Sequence, residues 1–183
     1  MYNAAIVPKR GHGVPCPYNY GGGAMNQKRI SESRVTLGVM MGPQDANGYG
    51  NVHGGVIMKM VDEAGALAAI RHAQSPCVTV AVDSMTFMQP ITVGHFVQFN
   101  AELTYVGRTS MEARVEVIAE NPLTGEKHLS NTAYLVYVAL DGQGRPKAVP
   151  ELMYETPEQE SRATQAQDRQ AYRKQQRAKE GQL

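Results

Sequence analysis

The chain is short of several things, and each shortage removes a class of function. It carries two cysteines in 183 residues, Cys16 and Cys77. That is too few for a disulfide framework or a structural zinc set, so a reducing, cytoplasmic setting is expected. It has no excess of either charge: 18 basic side chains against 17 acidic ones leave a net charge of +1. Such a balance gives no drive toward nucleic acid or an anionic membrane surface. No uninterrupted apolar run approaches the roughly 20 residues of a membrane-spanning helix.

Common catalytic motifs are also missing. There is no G-x-S-x-G for a nucleophile elbow and no G-x-x-x-x-G-K-[ST] phosphate loop. Gly48-Tyr49-Gly50 lacks the third glycine of a dinucleotide fingerprint. Without H-E-x-x-H or C-x-x-C, metal catalysis has no obvious ligands, and neither metal nor cofactor is expected. Cys77 opens a strand-like segment with no histidine paired to it and reads as a buried thiol.

What is present suits one globular domain with polar ends, at 42% apolar residues. Residues 1–33 hold five glycines and three prolines before Met25 and no acid before Glu32. They show no apolar period and no signal-peptide core. A flexible or non-native start is expected there, with Met25 a candidate initiator. Residues 157–183 read as a polar helix or tail whose acids come early and bases late, the order that suits a helix dipole. It is either a solvated helix or a cover for a subunit or ligand edge.

The domain proper is expected over residues 34–156. A first strand at 34–41 leads through a turn-rich loop into a helix from Gly54-Gly55 to about residue 73, where Ser75-Pro76 stops it. Four strands follow, near 77–88, 94–106, 110–120 and 128–140, with clear alternation in Val97, Phe99, Ala101, Leu103 and Tyr105. One long helix and a meander of strands predict an α+β domain, the helix lying across an antiparallel sheet of five to six strands. Ile57, Met60, Val61, Ala64, Leu67 and Ala68 form one helix face for burial. A second strip carries Met58, Asp62, Gly65, Ala66, Ala69 and Ala73, small enough to admit another backbone or a ligand beside Asp62.

Candidate chemistry concentrates in Asn47-Gly48-Tyr49-Gly50-Asn51-Val52-His53-Gly54-Gly55 and Asp62. A glycine pair opening a helix leaves N–H groups at the positive end of the dipole, where they can hold an oxyanion. A carboxylate two turns on can serve as a general base or a nucleophile. Singly, each feature has a plain structural reading: a turn, close packing, a solvated acid. It is the combination that points to a site.

These residues, running on through Lys59-Met60-Val61-Asp62-Glu63-Ala64-Gly65-Ala66, resemble the signature of hot-dog-fold acyl-CoA thioesterases. The likeness is to brain-type cytosolic acyl-CoA hydrolases and their single-domain bacterial relatives. Val82-Asp83-Ser84-Met85-Thr86-Phe87, Gly107-Arg108-Thr109-Ser110 and Tyr134-Leu135-Val136-Tyr137-Val138-Ala139-Leu140 also resemble that family. The resemblance implies a helix wrapped by a sheet, and units paired through a continuous sheet into a homodimer, with a trimer of dimers beyond it. It implies that Asn47 and Asp62 from opposite units form each site on an acyl-CoA substrate. Gly54 and Gly55 would then hold the oxyanion, and Arg108, Ser110 and Lys147 are the candidates for the coenzyme A phosphates. Met58, Met85, Phe87 and Met88 are candidates for the acyl tunnel, though core packing would explain them as well. Two other readings stand beside hydrolysis. One is a hot-dog dehydratase or hydratase using His53 with Asp62 or Glu63. The other is a non-catalytic acyl-CoA sensor, which would usually lose the Asn47–Asp62 pair kept here.

Overall fold

A computed structural model describes residues 27–181. The elements run β1 (Gln27–Arg29), α1 (Ile30–Ser33), β2 (Val35–Met40), α2 (Gly54–Ala73), β3 (Cys77–Phe87), β4 (Phe96–Val106), β5 (Ser110–Glu120), β6 (Lys127–Ala139), β7 (Glu151–Met153) and α3 (Pro157–Lys179). Five strands form an antiparallel sheet in the order β2-β4-β5-β6-β3. β1 and β7 pair in parallel as a separate two-stranded sheet. The long helix and the four long strands fall within about two residues of their expected ends.

Strand alternation builds the inner face of the sheet. Val97, Phe99, Ala101 and Leu103 of β4 are buried, as are Met111, Ala113, Val115, Val117 and Ala119 of β5. Helix α2 lies on that face through Ile57, Val61, Ala64 and Ala68. The buried strip is rotated from the expected one. Leu67 is partly exposed and Met60 half-buried, while Gly65, Ala69 and Ala73 from the small-residue strip are buried. Alanine and glycine there let the helix settle close to its own sheet, because contact distance is set by the side chains between. α2 ends at Gln74, which takes a left-handed conformation (φ 48°).

Residues 27–33, grouped by composition with the tail, are ordered instead. Lys28 is buried, and its Nζ donates to the carbonyls of Arg71 and His72 at 2.9 and 3.2 Å. A cation on the last carbonyls of α2 meets the negative end of its dipole. Arg71 returns the contact, donating to the carbonyls of Arg34 and Glu32. The order of this segment therefore comes from partners some forty residues away, which composition does not show. The rest of the expected flexible start, with Met25 and Cys16, lies outside the described residues.

The polar helix α3 has the expected early acids, Glu158 and Glu160 in its first turn, and is capped by Thr156 and opened by Pro157. It does not stand free in solvent. Ala163 and Ala166 are buried, and its arginines pair with acids on the outer face of the sheet. Arg162 binds Glu102 at 2.6 Å, Arg169 binds Glu112 at 2.7 Å, and Arg173 pairs with Asp83. Glu112 is 2% exposed and also accepts from Thr104 Oγ1 at 2.7 Å, so the buried carboxylate is fully partnered.

His72 closes the far end of α2. Its Nε2 lies 2.9 Å from the carbonyl of Pro150, an acceptor only, so Nε2 carries the proton and Nδ1 does not. Burial holds its pKa below the ordinary 6.5. Below pH 6.5 the unfolded chain takes up a proton that the folded ring resists, so this contribution to stability is complete above that value and lost as the pH falls. Thermal unfolding from pH 8 to 5 should therefore steepen below 6.5, by up to about 1.4 kcal/mol per pH unit for one group, and the slope should flatten in His72→Gln.

Candidate active site

Asp62 sits in the middle of α2, two turns past the glycine pair. Its Oδ1 accepts from Thr79 Oγ1 at 2.7 Å and from Tyr137 Oη at 3.2 Å. Tyr137 also donates to the backbone carbonyl of Asp62 at 3.1 Å. Burial, reinforced by the charge of Asp62, pushes the Tyr137 hydroxyl far above its ordinary value, so it stays protonated and acts as a donor. Thr79 on β3 and Tyr137 on β6 are register partners, which puts both on the inner face toward α2. An irregularity in β3 begins immediately after Thr79, the kind of break that re-aims side chains beside a site. Asp62 Oδ2 has no partner among the described residues. Neither Thr79 nor Tyr137 was a candidate from sequence, since threonine and tyrosine are ordinary strand residues. The small-residue strip that includes Gly65 was the local sign that something approaches the helix there.

The loop before α2 forms a second cluster. Asn47 Oδ1 accepts from the amides of Tyr49 and Asn51 at 2.8 and 3.2 Å, closing a tight turn. Its Nδ2 is left without a partner among the described residues. A cavity of about 340 Å³ is lined by Asn47, Gly54, Ile57, Phe87, Met88 and Asn131, among others. Phe87 and Met88, like Met58, are about half exposed, so core packing does not account for them. Of the two candidate oxyanion amides, Gly55 is occupied: it donates to Nδ1 of His53 at 2.8 Å, and His53 is the N-cap of the helix. Gly54 lines the cavity, and its amide has no partner among the described residues. Glu63 is exposed and pairs with Lys59.

Within one chain the structure brings Asn47 to Gly54 but not to Asp62. Asp62 is eight helical steps on from Gly54, about 12 Å along the axis, and is not in the wall of the Asn47 cavity.

Arg108 and Ser110 line another cavity of about 490 Å³ with Lys174 and Arg177 of α3. Lys147 is not in its wall. It lies instead by Cys77, whose thiol feels its charge. The sequence left α3 open between a solvated helix and a cover for a subunit or ligand edge, and did not show which of its residues reach this cavity. Among the described residues no group of three or more His, Cys, Asp or Glu could hold a metal ion, and no helix is long and apolar enough to cross a membrane.

The chain matches the thioesterase superfamily over residues 49–126. The cytosolic acyl coenzyme A thioester hydrolase of Mus musculus is 43% identical over 134 residues, 69% of this chain and 35% of its own. The chain thus spans about a third of the length of that relative. A Bacillus subtilis protein named as an uncharacterized acyl-CoA thioester hydrolase is 38% identical over 128 residues, 70% of this chain and 74% of its own. Among solved structures, an acyl-CoA hydrolase from Staphylococcus aureus in complex with butyryl coenzyme A, coenzyme A and coenzyme A disulfide gives a TM-score of 0.79. It is 33% identical, covering 85% of this chain and 95% of its own. The same enzyme is known with an aspartate, an asparagine and a threonine each replaced by alanine. An apo hexameric acyl-CoA thioesterase gives 0.81 at 36% identity, covering 84% and 99% of the two chains. The chain belongs to the thioesterase superfamily and shares the hot-dog fold of its members.

Cys77 is a protonated thiol. It is half-buried, its Sγ points to the Ser75 carbonyl at 3.4 Å, and burial pushes the thiol up to about 12. At pH 8 it is a thiol, not a nucleophilic thiolate. Iodoacetamide should label Cys77 in the folded protein on the order of 100-fold more slowly than in the unfolded one, read by mass spectrometry of the Cys77 peptide.

Proposed function

We propose that this protein hydrolyses acyl-CoA thioesters to coenzyme A and a carboxylic acid, as a homodimer with two composite sites and with no added cofactor. The observation that carries this reading is the Asp62 carboxylate, held at Oδ1 by Thr79 and Tyr137 with Oδ2 left available. The three positions replaced in the Staphylococcus enzyme are separated by 15 and 17 residues, the same separations as Asn47, Asp62 and Thr79. That agreement supports assigning all three to one site.

Asn47 and Asp62 lie apart in one chain, so a complete site joins the Asn47 half of one subunit to the Asp62 half of its partner. The edge strand β3 offers the surface for this. Among the described residues it is bonded on one side only, to β6, and a second β3 would continue the sheet. In each site Asn47 Nδ2 donates to the thioester carbonyl oxygen, and the Gly54 amide strengthens its hold as negative charge develops there. Asp62 Oδ2 then takes the proton of a water whose oxygen attacks the carbonyl carbon. The C–S bond breaks, and the thiolate leaves and is protonated. The same geometry serves a route in which Oδ2 itself attacks and water hydrolyses the anhydride. Solvent oxygen-18 entering the Asp62 carboxylate in a single turnover identifies the second route.

Arg108, Lys174 and Arg177, with Ser110, line the cavity that would take the coenzyme A phosphates; Lys147 is not in that wall. Phe87 and Met88 begin the acyl path. A trimer of such dimers, six subunits as in the hexameric neighbour, and a cytoplasmic setting, as for the cytosolic relatives, complete the reading.

Thiol release from short to long acyl-CoAs tests it. Asp62→Asn should lose at least about 100-fold in kcat with folding intact, and a wild type that releases no thiol from any of them would refute hydrolysis. Thr79→Val should lower kcat by roughly tenfold, the cost of one hydrogen bond to a charged group. Mixing inactive Asn47→Ala and Asp62→Asn subunits in equal amounts should restore about a quarter of wild-type activity, because half the dimers are mixed and each mixed dimer holds one intact site of two. A mixture that exchanges subunits and stays inactive would rule out the composite site.

A further inference from the structure

We propose that Tyr137 is a positioning residue for Asp62, and that Gly65 is glycine so that the Tyr137 hydroxyl can enter the surface of the helix. This rests on the reading of Asp62 as the hydrolytic carboxylate.

Glycine is a poor helix former and is disfavoured in the middle of a buried helix without a packing reason. Gly65 stands one turn past Asp62 on the same side of α2. A Cβ at Gly65 would lie 2.4 Å from Tyr137 Oη and 3.1 and 3.2 Å from Cζ and Cε2 of the ring. The closest of these is the hydroxyl, the atom that bonds the backbone carbonyl and Oδ1 of Asp62. The slot and the hydrogen bonds are thus one arrangement: with any side chain at position 65, the hydroxyl could not sit where it does.

Tyr137 is fully buried and fixed by the β6 register, and its cross-strand partner Thr79 bonds the same oxygen. A single donor would leave the carboxylate free to swing about its side-chain torsions. Two donors on Oδ1 from two adjacent strands, one of them also tied to the Asp62 backbone, remove that freedom. Oδ2 becomes the one reactive oxygen, held in one direction. Tyr137 touches no reacting atom in this scheme and acts only through Asp62.

Kinetics of the full-length protein on its best acyl-CoA substrate test this, with wild type, Asp62→Asn, Tyr137→Phe, Gly65→Ala and the Gly65→Ala/Tyr137→Phe double variant side by side. Tyr137→Phe keeps the ring and removes only the hydroxyl. It should lower kcat by about 10- to 100-fold while KM stays within about twofold, the split expected when ground-state binding is untouched. Gly65→Ala should lower kcat in the same way by evicting the hydroxyl. In the Phe background, where no hydroxyl remains to evict, it should cost less than about threefold more. If Gly65→Ala does not fold, Tyr137→Phe alone decides.

Tyr137→Phe with kcat within about twofold of wild type overturns the proposal. So does a rise in KM at unchanged kcat, and so do Gly65 and Tyr137 effects that multiply independently. Asp62→Asn that keeps full activity overturns the functional reading itself. An inactive Asp62→Asn beside a fully active Tyr137→Phe overturns only this inference.

Discussion

Burial of one strip of α2 on the inner face of the sheet is the constraint from which the rest follows. Ile57, Val61, Ala64 and Ala68 fill the centre of that contact, opposite the alternating apolar rows of β4 and β5. The contact is close because the helix face is built of alanine and glycine. Closeness is what brings a carboxylate on the helix within hydrogen-bond reach of a threonine and a tyrosine on the strands. With larger residues at Ala64, Gly65 and Ala68, the helix would ride higher and the Asp62 contacts would be lost.

The same constraint explains the accessory parts. A helix packed so closely must be held at both ends. At its start His53 caps the Gly55 amide, and at its finish Lys28 and Arg71 tie the last turn to the segment 28–34. On the opposite face of the sheet, α3 is fixed by ion pairs to Glu102 and Glu112. It leaves the bases of the helix's last turns beside Arg108 and so couples the edge of the domain to a cationic cavity.

Much of the fold was legible in the sequence because its signals are local. Period-2 alternation in 97–105 and turn residues such as those at 121–125 mark β4, β5 and β6 nearly to the residue. Gly54-Gly55 and Ser75-Pro76 bracket α2. The order of residues 27–33 was not legible, since Lys28 has no local reason to be buried and its partners are the carbonyls of Arg71 and His72. The register of the helix's buried strip was misjudged at Leu67 for a similar reason. Periodicity shows that a face exists, but the sheet decides which rotation of it packs.

The candidate site divides along the same line. Asn47, Gly54 and Asp62 stand out in sequence because an asparagine turn, a glycine pair and an acid on a strip of small residues are unusual within sixteen positions. Thr79 and Tyr137 carry no such mark. They belong to the site only because β3 and β6 pair in a register that places them side by side beneath Asp62. By itself, then, the sequence determined the elements, their order and the residue types available for chemistry, all of which depend on neighbours along the chain. Tertiary structure alone decided which oxygen of Asp62 is held, which glycine amide stays available and where α3 lies, because hydrogen bonds and close packing depend on distances between segments that the chain brings together only when it folds.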